Sequence, residues 1–488
     1  MSRFDAVPVL VGAGALTQRV EDPAQALEPV ALMAEATRRA AENAGAPELL
    51  SRADSIRVPR GFWPYPDPGR VVAERIGATA ARTVIAEVGV LQTSLLGQAA
   101  HDIANGSAEV VLIAGAEAKY RALRAQITGT TAPLLDQDGI EPDEILRPSG
   151  AIMHPIEVAH GLIMPVQQYS MVENALRAEQ GLSLDAHRDE IARMWSAMSE
   201  VAADNPDAWS REALSATAIR DAGDGNRMLA FPYTKHHNSQ WNVDQAACLI
   251  LCSSAIARAA GIPEARWVYP WAVTESNHML SLCERAHPER CPGFEIAGRR
   301  ASEIADLDIA EAAHREIYSC FPSAVRVQAR ELGLDPHGPL TETGGMSFAG
   351  GPLNNFVLQA MVRMTQVLRG DPGSLGLVTA VSGILTKQGV TLWSTAPPPG
   401  AFRFEDLSEA TARATETAKL EARLGGTARV IAYTVPYEGE EPVRGLALCE
   451  LEDGRRTLAS TEDHELAGAM TKEEFCGRML EVRDGKIC

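Results

Sequence analysis

The stretch from Glu87 to Ala118, EVGVLQTSLLGQAAHDIANGSAEVVLIAGAEA, decides how this chain folds. It starts at a strand end, runs through a helix with its apolar residues on one face, and closes on VVLIAGA, an unbroken apolar run ending in a glycine turn. A strand that is apolar at every position is covered on both faces, which places it inside a layered α/β domain. The same alternation comes before it. VPVLVGAG (7–14) reads as a buried strand and turn, ALEPVALMAEATRRAAENA (26–44) as an amphipathic helix, and ADSIRVP (53–59) as another strand. Repeated strand-helix-strand units imply parallel strands.

Beyond Ala118 the pattern breaks. From Lys119 to about Asn238 the chain is loop-like, with a pair of helical patterns over 166–202, and it reads as an excursion inserted into the α/β domain. The core pattern resumes at Asn242, where Asn242 and Asp244 look like the N-cap of a helix opening near Gln245, followed by the strand-like RWVYPWAV. A second half is expected from helices at 306–318 and 324–332, the glycine-rich ETGGMSFAGGPLNN, a helix from Phe356 to Leu368 and a strand over LGLVTAVSG. After the turn-rich STAPPPG (394–400), ARVIAYTVPY and RGLALCELEDGRRTLAST alternate as strands do around a D-G turn, which predicts a small five-stranded barrel of the OB type. The expected units are 1–118 with 242–273, an insertion at 119–241, a second half at 274–396 and an appended β-rich domain at 397–488.

Composition narrows the function. The chain has 488 residues, too many for one ordinary core, and is 45% hydrophobic. Its net charge of -19 argues against a nucleic-acid or anionic-membrane partner, since both require a basic footprint. No apolar run approaches the roughly 20 residues that span a bilayer, and MSRFDAVPVLVG is not a signal peptide, so a cytoplasmic protein is expected. The eight cysteines are scattered; neither Cys248 and Cys252 nor Cys283 and Cys291 has a second close pair, so no disulfide framework and no metal site are expected.

Four motifs resemble the thiolase superfamily, in family order. GSAEVVLIAGAE (106–117) resembles the strand after the nucleophile helix, EIYSCFPSA (316–324) the N-E-A-F or H-D-C-F motif, TGGMSFAGGPLNN (343–355) the loop G-G-x-x-x-x-G-H-P-x-G, and VSGILTK (381–387) the C-x-G segment. The resemblance implies the thiolase fold, a layered αβαβα body with two similar halves. It also implies coenzyme A as substrate or thioester carrier, and a homodimer paired through VVLIAGA. The chemistry is altered, because Gly89 stands where the family has its nucleophilic cysteine, Gly351 where it has the activating histidine, and Val381 where it has the acid-base cysteine. A covalent acyl-cysteine mechanism is therefore not available at the usual site. The chain also resembles thiolase-like proteins with an extra C-terminal domain, often labelled acetyl-CoA acetyltransferases. It is similar too to steroid side-chain aldolases, which share the fold, lack the nucleophile and associate with an OB-fold protein.

Candidate residues follow. Tyr318 takes the N or H position of the acyl motif, where a phenol with a depressed pKa could take a proton from a 3-hydroxyl, as tyrosines are implicated in doing in those aldolases. His237 and His236, at the junction of insertion and core, are further acid-base candidates. Gly344, Gly345, Gly350 and Gly351, with Gly89, would let backbone N–H groups approach an oxyanion. Cys320, His154 and Met164 are candidates for the acyl pocket, and Lys119, Arg121, Arg124 and Lys235 for the phosphates of CoA. Two functions fit: an acyl-CoA enzyme that makes or breaks a carbon–carbon bond without a cysteine nucleophile, with retro-aldol cleavage of a 3-hydroxyacyl-CoA in view, or a catalytically degenerate acyl-CoA-binding or scaffold protein of thiolase fold.

Overall fold

The computed structural model describes residues 6–488. The first half contains strands β1 (Pro8–Gln18), β2 (Ser55–Pro59), β3 (Arg82–Ala86), β4 (Val110–Ala118), β5 (Glu144–Leu146) and β6 (Asp244–Ser253). Their order in the sheet is β1-β6-β4-β2-β3-β5. The second half supplies β7 (Tyr269–Ser276), β8 (His314–Glu316), β9 (Leu375–Ser382), β10 (Lys387–Ser394) and β11 (Arg403–Asp406), in the order β8-β9-β10-β7-β11. The two sheets share one scheme: β1 and β7 pair antiparallel with β6 and β10, these pair antiparallel with β4 and β9, and those pair parallel with β2 and β8, while β11 adds parallel to the free side of β7. Both sheets are thus mixed, where parallel strands were expected.

Five layers result. Helix α1 (Pro29–Ala44) covers the outer face of the first sheet. Helices α2 (Gln92–Asn105) and α7 (Phe356–Gly370) lie between the sheets, and α5 (Pro292–Ala305) covers the second sheet from outside. Two further helices, α3 (Pro165–Glu179) and α4 (Leu184–Asp204), form the insertion, and α6 (Pro322–Glu331) packs against α3. The C-terminal strands β12 (Gly425–Thr434), β13 (Gly445–Glu450), β14 (Arg456–Thr461), β15 (Met479–Arg483) and β16 (Lys486–Ile487) close a five-stranded barrel. The barrel is not a loose appendage. Its β12 seats against α3, where Ser170 and Thr434 share a 2.6 Å hydroxyl contact and Asn174 Nδ2 donates to Tyr433 O at 3.0 Å. No helix among the described residues is long and apolar enough to cross a membrane.

Several sequence expectations change. The run DQAACLILCS is a strand, not a helix, and every residue of it is buried. A continuous apolar run does not separate helix from strand, and here the sheet on either side settles the matter. The helix expected at 306–318 is displaced to 292–305; Tyr318 follows a short strand instead of ending a helix. The strand at 269–276, expected in the first half, belongs to the second sheet, as does 403–406 from the segment assigned to the appended domain. The VVLIAGA strand has no free edge: β4 is hydrogen-bonded to β6 on one side and β2 on the other, and β5 pairs along the outer side of β3.

Candidate active site

Gly89 lies before α2 with φ +101, a backbone conformation natural to glycine. A β-carbon there would sit 3.1 Å from Pro148, with Ile152 at 3.9 Å, so a side chain at this position would press on the insertion. The first turn of α2 instead carries a buried carboxyl. Glu275, at the end of β7, accepts from the Ser94 hydroxyl at 2.7 Å, the Thr93 hydroxyl at 3.1 Å and Asn277 Nδ2 at 3.0 Å. Burial pushes this carboxyl up to about 7 against those donors. Beside it the buried Lys387 donates from Nζ to Gly89 O at 3.1 Å.

Tyr318, Cys320 and Tyr169 meet at the acyl motif. The Tyr318 ring stands edge-on to Phe356, its N–H donates to Thr379 Oγ1 at 2.8 Å, and burial drives its phenol well above the ordinary value. Activation as a base by a depressed pKa therefore does not apply. Burial pushes the Cys320 thiol up to about 12, opposed by a hydrogen bond with Tyr169. The Tyr169 ring stacks on Phe321 at 4.5 Å, and its phenol is raised too, by burial first and by Cys320 second. At neutral pH all three are uncharged.

Behind Phe321 lies a second buried network. Glu173 accepts from Tyr233 OH at 2.6 Å and from Arg326, and contacts His187 Nε2 at 2.9 Å. Burial alone would raise Glu173, but Arg326, His187 and Tyr233 together outweigh it and bring the carboxyl to about 2. His237 is close by but locked: its Nδ1 lies 2.9 Å from the Thr234 hydroxyl, and burial lowers its pKa to about 3. His236 is half-buried, with its backbone N–H on Asn226 Oδ1.

The glycine-rich loop is built around Glu316. That carboxylate accepts from the Thr343 N–H at 2.7 Å, the Glu342 N–H at 2.8 Å and both threonine hydroxyls of the loop, while burial pushes it up to about 7. Thr341 Oγ1 in turn accepts from the N–H groups of Gly344 at 2.9 Å and Gly345 at 3.1 Å, so these two of the five expected oxyanion donors are engaged inside the loop. At Gly344, with φ +97, a β-carbon would lie 2.4 Å from the backbone of Ala202, so this glycine serves the close packing of α4. The Gln245 side chain lies against Gly350, and the Gly351 N–H donates to Gln240 O at 2.8 Å.

The other candidates scatter. His154 caps the short helix Pro155–Ala159, accepting from the Ile156 N–H, and Met164 is 44% exposed. The buried Arg121 guanidinium donates to the carbonyls of Pro23, Ala26 and Pro133, leaving it no role at a phosphate. Arg124 pairs with Glu21 at 2.9 Å. The Lys119 ammonium lies 3.7 Å from the Trp241 ring centroid and 4.1 Å from that of Phe62, and Lys235 is exposed.

Sequence reasoning missed Glu275, Lys387 and a third group, Arg285. Arg285 is 4% exposed and holds the loop between β9 and β10, with Nη2 2.6 Å from Ile384 O and 3.3 Å from Gly383 O. That loop is strained, Ile384 and Leu385 having φ of +54 and +70. For Glu275 and Lys387 the signal in the sequence was a charge at the end of an apolar strand, whereas Arg285, next to Glu284 in SLCERAHPERC, carried none.

Comparison with known proteins agrees with this architecture. A family model for the thiolase-like protein type 1 additional C-terminal domain matches residues 406–486. A monomeric SCP2-thiolase-like protein type 1 from Mycobacterium smegmatis is similar over nearly the whole length, with a TM-score of 0.85, 29% identity, and 98% of this chain and 97% of that chain covered. The chain has the thiolase fold. An Ltp2-ChsH2(DUF35) aldolase matches with a TM-score of 0.60 and 19% identity over 80% of this chain and 99% of the other. Acetyl-CoA acetyltransferase from Syntrophomonas wolfei matches with 0.56 and 16% over 80% and 100%. The last two likenesses concern the fold alone. None of the curated proteins matches.

Proposed function

We propose that this thiolase-like chain acts on acyl-CoA thioesters and makes or breaks the bond between C2 and C3 without a covalent cysteine intermediate, as in retro-aldol cleavage of a 3-hydroxyacyl-CoA. The observation that carries the reading is the meeting of Tyr318, Tyr169 and Cys320 at the acyl motif, in a chain that has Gly89, close against Pro148, at the expected nucleophile position. Similarity to proteins named as an acetyl-CoA acetyltransferase and an aldolase supports the substrate class. The β4 strand lies inside its sheet and the β3 edge is covered, which supports a site completed within one chain.

In the cleaving direction the 3-hydroxyl gives up its proton and the C2–C3 electron pair passes to C2, with the charge carried on the thioester oxygen. An aldehyde or ketone leaves, and protonation at C2 yields the shortened acyl-CoA. Tyr318 is the group assigned to the hydroxyl proton. Because burial raises its phenol, the form present at neutral pH is the acid, which suits protonation of a new alkoxide in the condensing direction. Cleavage runs that transfer backwards and draws on a minor phenolate fraction, so its rate should climb with pH above 7.

The test offers the purified protein a branched 3-hydroxyacyl-CoA and, separately, a 3-ketoacyl-CoA with CoA. Cleavage of the hydroxy substrate alone, accelerating with pH and lost in Tyr318→Phe, is expected. CoA-dependent cleavage of the keto substrate, or full activity in Tyr318→Phe, would sink the assignment. A second reading, a non-catalytic acyl-CoA binder, draws support from the locked His237 ring and the engaged loop amides. Binding of both esters without turnover would favour it.

A further inference from the structure

Arg285 is a buried cation without a carboxylate partner. Its Nε and Nη2 donate to the carbonyls of Leu280, Gly383 and Ile384, and no ion pair forms to it among the described residues. Its Nη1 makes no hydrogen bond within that same set of residues. The titratable groups that couple to it electrostatically include Cys291, Glu157, Tyr169, Cys283 and His278. Glu157, the one carboxylate among them, is committed elsewhere, accepting from the Cys283 N–H at 2.8 Å and the His154 N–H at 2.9 Å. Taking an unpaired guanidinium out of water costs several kcal/mol, a cost that falls when an anion reaches it.

Its position gives that vacancy a meaning. Arg285 bridges two motifs: it holds the loop where the family has C-x-G, and it faces Tyr169, which is hydrogen-bonded to Cys320 of the acyl motif. Its own backbone is clamped by the barrel, Arg456 Nη1 donating to Arg285 O at 2.7 Å and Nη2 to Ala286 O at 2.9 Å. With the Gly344, Gly345 and Gly351 amides engaged, a charged donor at the neighbouring loop is well placed to meet negative charge on a thioester oxygen.

We propose that Arg285 supplies it: the free edge of its guanidinium binds the thioester oxygen as that oxygen becomes an enolate, with Arg456 of the barrel as a positioning residue. This rests on the acyl-CoA reading above and goes beyond it by naming the group that meets the charge. The ligand class preferred by the site is therefore a CoA compound carrying an oxyanion close to sulfur. A guanidinium suits the task, since it stays charged when buried and presents several donors in one plane.

The experiment titrates the full chain, by calorimetry, with S-carboxymethyl-CoA and its neutral amide, S-carbamoylmethyl-CoA. A charge-assisted hydrogen bond predicts that the wild type binds the carboxylate at least about tenfold tighter than the amide. Arg285→Gln should bind the two alike. Equal wild-type affinities, or a preference that survives Arg285→Gln, would overturn the assignment. If neither compound binds the wild type, the acyl-CoA reading itself fails, and that outcome is distinct. Should Arg285→Gln not fold, Arg285→Lys decides: a single ammonium cannot hold the loop carbonyls and the ligand together, so the preference should fall several-fold, and an unchanged preference refutes the proposal.

Discussion

Replacing Glu275 with Gln should stabilise the protein at pH 8 and have less than about a third of that effect at pH 5. The carboxyl is 2% exposed and titrates at about 7 in the folded chain, against an ordinary value of 4.5, because burial disfavours its charge more than the Ser94, Asn277 and Thr93 donors favour it. Between those two values the folded state keeps a proton that the unfolded chain has released. Stability is thus fully present below 4.5 and falls as the pH rises through 7. A difference of about 2.5 units at ~1.36 kcal/mol each makes the loss about 3 kcal/mol above pH 7. Gln keeps the shape and an acceptor for the Ser94 and Thr93 hydroxyls without the charge. If the whole chain unfolds together, at roughly 2 cal/mol/K per residue, the gain amounts to about 3 °C in Tm. Differential scanning of wild type and Glu275→Gln from pH 5 to 8.5 measures it. A Tm difference that does not change with pH, or a variant less stable at pH 8, would mean that Lys387 or the hydroxyl donors compensate the charge, and the argument from uncompensated burial would be wrong.

Three other substitutions test a close approach and a buried ion pair. Gly344→Ala should cost at least ~2 kcal/mol, since the new methyl meets the Ala202 backbone at 2.4 Å from a left-handed conformation; Gly106→Ala, with φ +80 and nothing within 4 Å, should cost about 1 kcal/mol, and equal Tm values for the pair would refute the close approach. Arg326→Met strips the fully buried Glu173 of its cation and should lower stability by about 3–5 kcal/mol at pH 7, read as loss of Tm; because Glu173 is held at about 2 in the wild type, the penalty should shrink as the pH falls from 4.5 towards 2.

The motifs that were legible share a property: their pattern is dictated by where the backbone lies in the layers. VVLIAGA declared itself a doubly covered strand because every position is apolar, and α7 was readable from its periodicity. AACLILC was not, since a helix buried all round and a central strand have the same composition, and only pairing with β1 and β4 separates them. Arg121 shows the limit for charges. Next to the insertion it looked like a phosphate ligand, yet it holds the carbonyls of Pro23 and Ala26, nearly a hundred residues away, which no local pattern announces.

By itself, then, the sequence determined the layered body, its two related halves, the inserted segment and the C-terminal barrel, because each is written in local periodicity or in a motif. Only the tertiary structure decided what surrounds Gly89. Glu275 reaches the hydroxyls of α2 from 181 residues away, Lys387 reaches Gly89 O across 298, and Arg285 joins two loops through a guanidinium edge. Such contacts depend on how the two sheets stack over their central helices, a three-dimensional arrangement that leaves no periodic trace in the order of residues.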